Sequence, residues 1–139
     1  IRFGVEAIDP EVQRLLGKRF SPHQVRRSVR WCKERNLSAC LYFLFGFPFE
    51  TEETIARLLD FMAELSEETM VPPYLGIVRV LEGTPLMETY QKQGWIGEGE
   101  PIRGLPLERV LEILDGWRKK FPAFFMSRKD EPRQNFEER

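Results

Sequence analysis

The sequence predicts an α/β fold built on a parallel sheet. Strand-like segments alternate with helical ones along the chain, which implies βαβ crossovers. Residues 39–45 form a near-continuous apolar run between polar boundaries, which is typical of a strand buried on both faces. Three strand-like segments are present, too few to close a (β/α) barrel, so we expect part of a TIM-like barrel with a C-terminal helical extension.

The first half of the chain contains strong element boundaries. Residues 1–5 alternate apolar and polar, which predicts a short strand. Asp9 followed by proline predicts a helix start, and Gly17 predicts its end. Ser21 and Gln24 have the spacing of a capping box, which predicts that a second helix begins there.

The second half repeats the alternation. The apolar run 39–45 predicts the second strand, and Thr51 begins the next helix. Tyr74 to Leu81 predicts a third strand, and a helix that begins at Thr84 should end at Gly94. The predicted order is therefore β-α-α-β-α-β-α, followed by a further helix.

The predicted organisation has four parts. Residues 1–96 form the α/β unit, and residues 97–106, rich in glycine and proline, form a linker loop. Residues 107–126 contain a helix with an apolar face, and residues 127–139 form a polar, frayed tail.

Composition excludes several classes of protein. The 139 residues are 42% hydrophobic with a net charge of −1, which argues against disorder and against a global field for nucleic acid or an anionic membrane. No apolar run approaches the roughly 18 residues of a spanning helix. Cys32 and Cys40 are too few for a disulfide framework, so we expect a cytoplasmic protein. Because the chain opens on Ile1 within a strand, we expect a piece of a longer protein.

Glycines and carboxylates recur where the three strands end, at residues 4–6, 45–51 and 79–85. In parallel α/β folds ligands bind at the carboxyl ends of the strands. Glycine lets a ligand approach the backbone, and a carboxylate accepts hydrogen bonds from hydroxyl or ammonium groups. The alternative is that these are ordinary turns whose acidic residues cap helices.

Four motifs carry a family resemblance: Gly4 to Val12, Leu15 to Lys18, Gly46 to Thr51, and Glu82 to Leu86. Their order and spacing resemble the C-terminal half of a radical S-adenosylmethionine (radical SAM) core domain. The closest likeness is to the branch that often carries a cobalamin-binding domain upstream. The resemblance implies that the three strands are strands four to six of a partial barrel.

The resemblance also implies a cofactor-binding set. Glu6 matches the residue that hydrogen-bonds the ribose or aminoacyl group of S-adenosylmethionine, and Lys18 matches the partner of its methionyl carboxylate. Leu44 to Gly46 match the segment that packs on the adenine, and Arg79 and Val80 lie where backbone groups reach the adenine edge. The complete predicted set is Glu6, Lys18, Leu44, Phe45, Gly46, Glu50, Arg79 and Val80.

The family holds a 4Fe–4S cluster with a CxxxCxxC loop, which this chain lacks. Two cysteines cannot supply three thiolates. We therefore expect no metal ligand and no catalytic residue in this chain, and the segment alone should be inactive. In the intact enzyme, the resemblance implies reductive cleavage of S-adenosylmethionine to a 5′-deoxyadenosyl radical, with a cobalamin domain possible upstream.

The implied partners are the N-terminal half of the barrel and a reductant protein, with no membrane or nucleic acid. Phe49 stands where the family usually has glycine. Two alternatives stay open: a non-catalytic scaffold half-barrel that has lost the cluster loop, and an ordinary α/β-barrel lyase, which would need a catalytic lysine or paired acids.

Overall fold

The computed structural model describes residues 1–97 and 100–121. Its elements are β1 (Arg2–Glu6), α1 (Pro10–Leu15), α2 (Pro22–Glu34), β2 (Cys40–Phe45), α3 (Glu52–Glu68), β3 (Tyr74–Ile77), α4 (Pro85–Gln93), β4 (Ile96–Gly97), β5 (Glu100–Pro101) and α5 (Leu107–Lys120). The predicted α/β class and the order of the first seven elements are confirmed.

The main sheet has three parallel strands in the order β1-β2-β3. Phe3 lies beside Leu41, and Phe43 lies beside Leu75. The register shifts between Gly4 and Glu6, which is the signature of a β-bulge at the end of β1. All three carboxyl ends therefore meet at one edge of the sheet.

One face of the sheet forms the main core. Leu41, Phe43 and Phe45 alternate along β2 and are at most 1% exposed. They pack against apolar residues of α2, α3 and α5. Tyr42 and Leu44, on the opposite face, are only half-buried. The prediction that β2 is buried on both faces is therefore wrong for the described residues, because the three long helices all cover the same face.

The predicted helix boundaries follow from side-chain caps. The Asp9 carboxylate accepts hydrogen bonds from two backbone N–H groups of α1. Ser21 and Gln24 form both hydrogen bonds of the capping box at α2. Gly94, immediately after α4, has the left-handed φ of +69° that a helix end favours. Local chemistry is therefore enough to specify where these helices begin and end.

The predicted end of the third strand is wrong. The third strand ends at Ile77 and not at Leu81, because β2 ends at Phe45 and leaves no further strand to pair with. Val78 N–H donates to the Phe45 carbonyl (2.9 Å), and the chain then leaves the sheet.

The predicted linker 97–106 holds part of a two-stranded antiparallel ribbon, β4–β5. The described part of the last helix is α5, and residues 122–126 of the predicted helix and the predicted tail 127–139 lie outside the described residues. Among the described helices, none is long and apolar enough to cross a membrane.

Candidate functional site

Glu6 and Lys18 lie together at the carboxyl end of β1. The Lys18 ammonium donates to the Gly4 carbonyl oxygen (2.5 Å) and lies 3.9 Å from Glu6 Oε1. The two side chains are 32% and 24% exposed, for lysine and glutamate respectively. An accepting and a donating charged group are therefore both accessible to a ligand at this edge.

The local backbone explains this placement. Glu6 adopts a left-handed φ of +66°, which is rare for a residue with a side chain and often marks functional sites. The Glu6 carboxylate folds back over Gly4, where an added Cβ would stand 2.6 Å from Glu6 Oε1. Gly4 is thus the residue that leaves room for the carboxylate.

A short helix returns Lys18 to β1. Buried Gln13 of α1 donates its side-chain N–H to the Ala7 carbonyl (3.0 Å), which ties the helix to the end of the strand. The Lys18 N–H donates to the Gln13 carbonyl (2.8 Å), so the chain closes directly after α1. Glu6 and Lys18 are twelve residues apart in the sequence, and the local structure between them is therefore sufficient to bring them together.

Glu50, unlike Glu6, is buried and hydrogen-bonded to the backbone of its own turn. Its Oε2 accepts from the backbone N–H groups of Gly46 (2.5 Å) and Phe47 (2.7 Å). The residue is only 7% exposed. The structure thus uses Glu50 to close the turn after β2, and the cap of the following helix is Thr51 rather than this acidic residue.

Burial raises the pKa of Glu50 to about 7, against the opposing effect of the two N–H donors. The carboxyl group in the folded protein therefore keeps a proton that the unfolded chain releases from about pH 4.5 upward. Unfolding then releases a proton within this window, so stability falls as pH rises from about 4.5 to 7.

The free energy of unfolding of the wild type should fall by about 3 kcal/mol over this pH range, and we expect Glu50→Gln to abolish this fall, because the neutral amide does not titrate and its oxygen accepts the same two hydrogen bonds. Urea unfolding of the wild type and the variant across this pH range measures the difference. Glu82→Gln, at an exposed position, is the matched control. Identical pH profiles for wild type and Glu50→Gln would contradict the assignment.

The apolar members of the predicted set separate into two groups. Phe45 is fully buried in the main core, and its carbonyl accepts a hydrogen bond from the Val78 N–H. Leu44 lies on the opposite face and packs against a second apolar cluster, formed by Ala7, Val12, Phe47 and Val78. Gly46 has a φ of +96° and ends the strand.

Arg79 and Val80 lie beyond the end of β3 rather than within it. Arg79 is exposed, and Val80 is half-buried. No hydrogen bond or ion pair in the described part of the chain joins them to Glu6 or Lys18. The predicted residues thus lie around the carboxyl ends of the three strands. Among the described residues, an ion pair joins Glu6 with Lys18, and a hydrogen bond joins Gly46 with Glu50.

The Phe49 ring points toward the helices. It stands 5.9 Å from the Trp95 ring and packs against the second apolar cluster. Together with α1 and α4 residues it lines a cleft of about 260 Å³.

Sequence reasoning missed the segment after β5. The Gly104 N–H donates to the Phe47 carbonyl (2.9 Å), and Arg103 lies against Gly46. Both residues fall in the stretch predicted as a linker. Glycine and proline content predicts a loop but not its docking site, so no sequence signal could have placed these residues at the edge of the sheet.

The described residues contain no group of three or more histidine, cysteine, aspartate or glutamate side chains that could hold a metal ion. Cys32 is buried and Cys40 half-buried, and both are free thiols. The two cysteines of the whole sequence do not fit a cluster that needs three thiolates.

Comparison with known proteins identifies the segment that holds Glu6 and Lys18. Residues 1–62 match the family model described as the radical SAM superfamily. A relative named ribosomal protein uS12 methylthiotransferase RimO, from Heliobacterium modesticaldum, is 39% identical over 59 residues, covering 41% of this chain and 13% of that protein. This segment belongs to the radical SAM superfamily.

Two archaeal proteins extend the similarity of this radical SAM segment. An uncharacterized methyltransferase from Pyrococcus horikoshii is 25% identical over 134 residues, covering 91% of this chain and 28% of that protein. An uncharacterized protein from Methanocaldococcus jannaschii is 33% identical over 92 residues, covering 66% of this chain and 17% of that protein. The chain thus spans less than a third of the length of these relatives.

Proposed function

We propose that this chain is the S-adenosylmethionine-binding half of a radical SAM enzyme, with β1, β2 and β3 as strands four to six of a partial barrel. One observation carries the proposal: Glu6 and Lys18, inside the matched segment, lie 3.9 Å apart at the carboxyl end of β1. Membership in the superfamily supports radical chemistry that depends on S-adenosylmethionine in the parent protein.

The residues of this edge fit the groups of the cofactor. The Glu6 carboxylate accepts hydrogen bonds from the ribose hydroxyls or the amino group, and the Lys18 ammonium pairs with the methionyl carboxylate. The backbone at Leu44 to Gly46 and at Arg79 and Val80 borders the adenine. When bound to a reduced 4Fe–4S cluster, S-adenosylmethionine supplies the 5′-deoxyadenosyl radical, and this chain contributes binding and orientation.

The cluster itself does not fit this chain, because only two cysteines are present. We place its ligands in the N-terminal half of the barrel, which is also the partner of this segment, and a reductant protein would supply the electron. The resemblance also supports a cobalamin domain upstream. The names of two relatives, a methyltransferase and a methylthiotransferase, support the transfer of a methyl or a methylthio group as the reaction class.

Binding of S-adenosylmethionine tests the proposal directly. We expect the full-length protein to bind the cofactor in isothermal titration calorimetry, and to release 5′-deoxyadenosine when its cluster is reconstituted and reduced. A full-length protein that folds but shows no affinity would overturn the proposal and would favour the scaffold alternative.

A further inference from the structure

Arg103 lies at the same edge of the sheet as the proposed cofactor site. A Cβ added at Gly46 would stand 3.7 Å from both Cδ and Nε of Arg103. The arginine side chain therefore crosses the backbone at the carboxyl end of β2. It arrives there from the segment that follows the ribbon, and no part of the proposed function uses it.

The backbone on both sides of Arg103 is held in place. The Ile102 N–H donates to the Trp95 carbonyl (2.7 Å), and the Gly104 N–H donates to the Phe47 carbonyl (2.9 Å). Gly104 also packs closely on the backbone of Glu50. The guanidinium is therefore presented from a fixed base, which lowers the entropy lost when it binds a ligand.

The Arg103 guanidinium has an N–H donor that is not hydrogen-bonded to any described residue. Its Nη1 donates to the nearby Pro101 carbonyl at 3.3 Å, while the Nε–H is buried without a hydrogen-bond partner in the described part of the chain. None of the ion pairs within residues 1–97 and 100–121 includes Arg103. Buried donors in folded proteins are nearly always paired, so an unpaired one at a ligand-binding edge indicates a missing acceptor.

Neither of the two nearby acceptor side chains, Glu50 and Tyr90, forms a hydrogen bond with the Arg103 Nε–H in the described part of the chain. Glu50 Oε2 is already occupied by the Gly46 and Phe47 N–H groups. The Tyr90 hydroxyl is buried and also lacks a hydrogen-bond partner among the described residues. Arg103 and Glu50 both act electrostatically on Tyr90, which places the three side chains in one neighbourhood. A fixed positive charge with free donors is suited to a planar or tetrahedral anion.

We propose that the Arg103 guanidinium binds a carboxylate or phosphate group of a ligand held at the carboxyl end of β2. The inference rests on the proposed function, which brings a ligand to this edge. Two sources have the required chemistry: the methionyl carboxylate of S-adenosylmethionine and an anionic group of the substrate. Arg103 would then be a ligand-contacting residue contributed from outside the matched segment.

The experiment measures the affinity of the full-length protein for three ligands. S-adenosylmethionine carries the carboxylate, methylthioadenosine keeps the adenosine but lacks it, and inorganic phosphate represents an anionic substrate group. Calorimetry compares wild type with Arg103→Gln, which removes the charge, and Arg103→Lys, which keeps it. Arg30→Gln, at an exposed position of α2, is the matched control.

We expect Arg103→Gln to weaken the binding of one anionic ligand by roughly tenfold or more, with partial recovery of affinity in Arg103→Lys. If the variant binds S-adenosylmethionine more weakly but methylthioadenosine equally well, the group bound by Arg103 is the carboxylate of the cofactor. If the variant binds phosphate more weakly but S-adenosylmethionine equally well, the group bound by Arg103 is an anionic group of the substrate. If the folded glutamine variant binds both anions as wild type does, the inference is overturned.

A second measurement serves if Arg103→Gln does not fold. In the wild type, the NMR signal of the Arg103 Nε–H, assigned with Arg103→Lys, should shift saturably as S-adenosylmethionine or phosphate is added. An unmoved signal with both ligands overturns the inference. A wild type that binds phosphate through Arg103 but does not bind S-adenosylmethionine would overturn the proposed function and leave the anion site intact.

Discussion

Replacing Lys18 with alanine in the full-length protein is expected to weaken S-adenosylmethionine binding by about 10- to 100-fold. The physical reason is that a charge-assisted hydrogen bond contributes about 1.5–3 kcal/mol. Lys18 is the cation at the end of β1, and its ammonium is held there by the Gly4 carbonyl. Calorimetric titration of wild type and variant under the same salt conditions measures the change.

Glu6→Ala is expected to produce a loss of similar size, because it removes the acceptor for the ribose hydroxyls or the amino group. Since Glu6 and Lys18 are 3.9 Å apart, their effects should not add, and the double variant should bind more tightly than the sum of the single losses predicts. A double-mutant cycle in calorimetry gives this coupling.

Controls separate binding from folding at this pair. Lys92→Ala changes an exposed lysine of α4 and should leave affinity unchanged. The thermal midpoints of all variants show whether the loss of the bond to the Gly4 carbonyl unfolds the strand end. Unchanged affinity in folded Lys18→Ala and Glu6→Ala would show that the cofactor is not held here.

Gly104→Ala is expected to destabilise the fold by at least about 4 kcal/mol, in the range that strain at special backbone positions produces. A Cβ at this position would overlap the carbonyl oxygen of Glu50 and would stand 2.9 Å from its backbone C and N atoms. Backbone atoms cannot rotate away as the end of a side chain can. The segment must therefore leave the turn after β2, which also breaks the hydrogen bond to the Phe47 carbonyl.

Gly116→Ala is the matched control for this change. Gly116 lies inside α5, and a Cβ there would meet nothing within 4 Å. Alanine in a helix interior is favoured over glycine by about 0.5–1 kcal/mol, so this variant should be slightly more stable than wild type. Urea unfolding measures both. A Gly104→Ala protein as stable as wild type would show that the segment does not dock on Glu50.

The helix boundaries and the first-strand motif could be predicted because their causes are local. Asp9 and Ser21 are read as caps from their neighbours alone, and the structure forms both caps. The end of the third strand could not be predicted in this way. Residues after Ile77 are as apolar as a strand requires, but β2 offers no partner beyond Phe45.

In the candidate site, too, the features with local causes could be predicted and those that depend on packing could not. Glu6 and Lys18 are twelve residues apart and are joined by a short capped helix, so motif and spacing were sufficient to place them together. The role of Glu50 depended on burial, which the sequence does not show: its carboxylate closes a turn that the aromatic residues Phe47 and Phe49 help to cover. Whether an acidic residue faces solvent or a turn is decided by packing.

By itself, the sequence determined the α/β class, the order of the main elements, the helix caps and the resemblance to the radical SAM superfamily. Each of these depends on residues close together in the chain. Only the tertiary structure decided that Glu50 is buried, that one face of β2 is half-buried, and that Arg103 reaches Gly46 from 57 residues further along the sequence. Contacts at that separation arise from the packing of whole elements, which periodicity and turn signals do not encode.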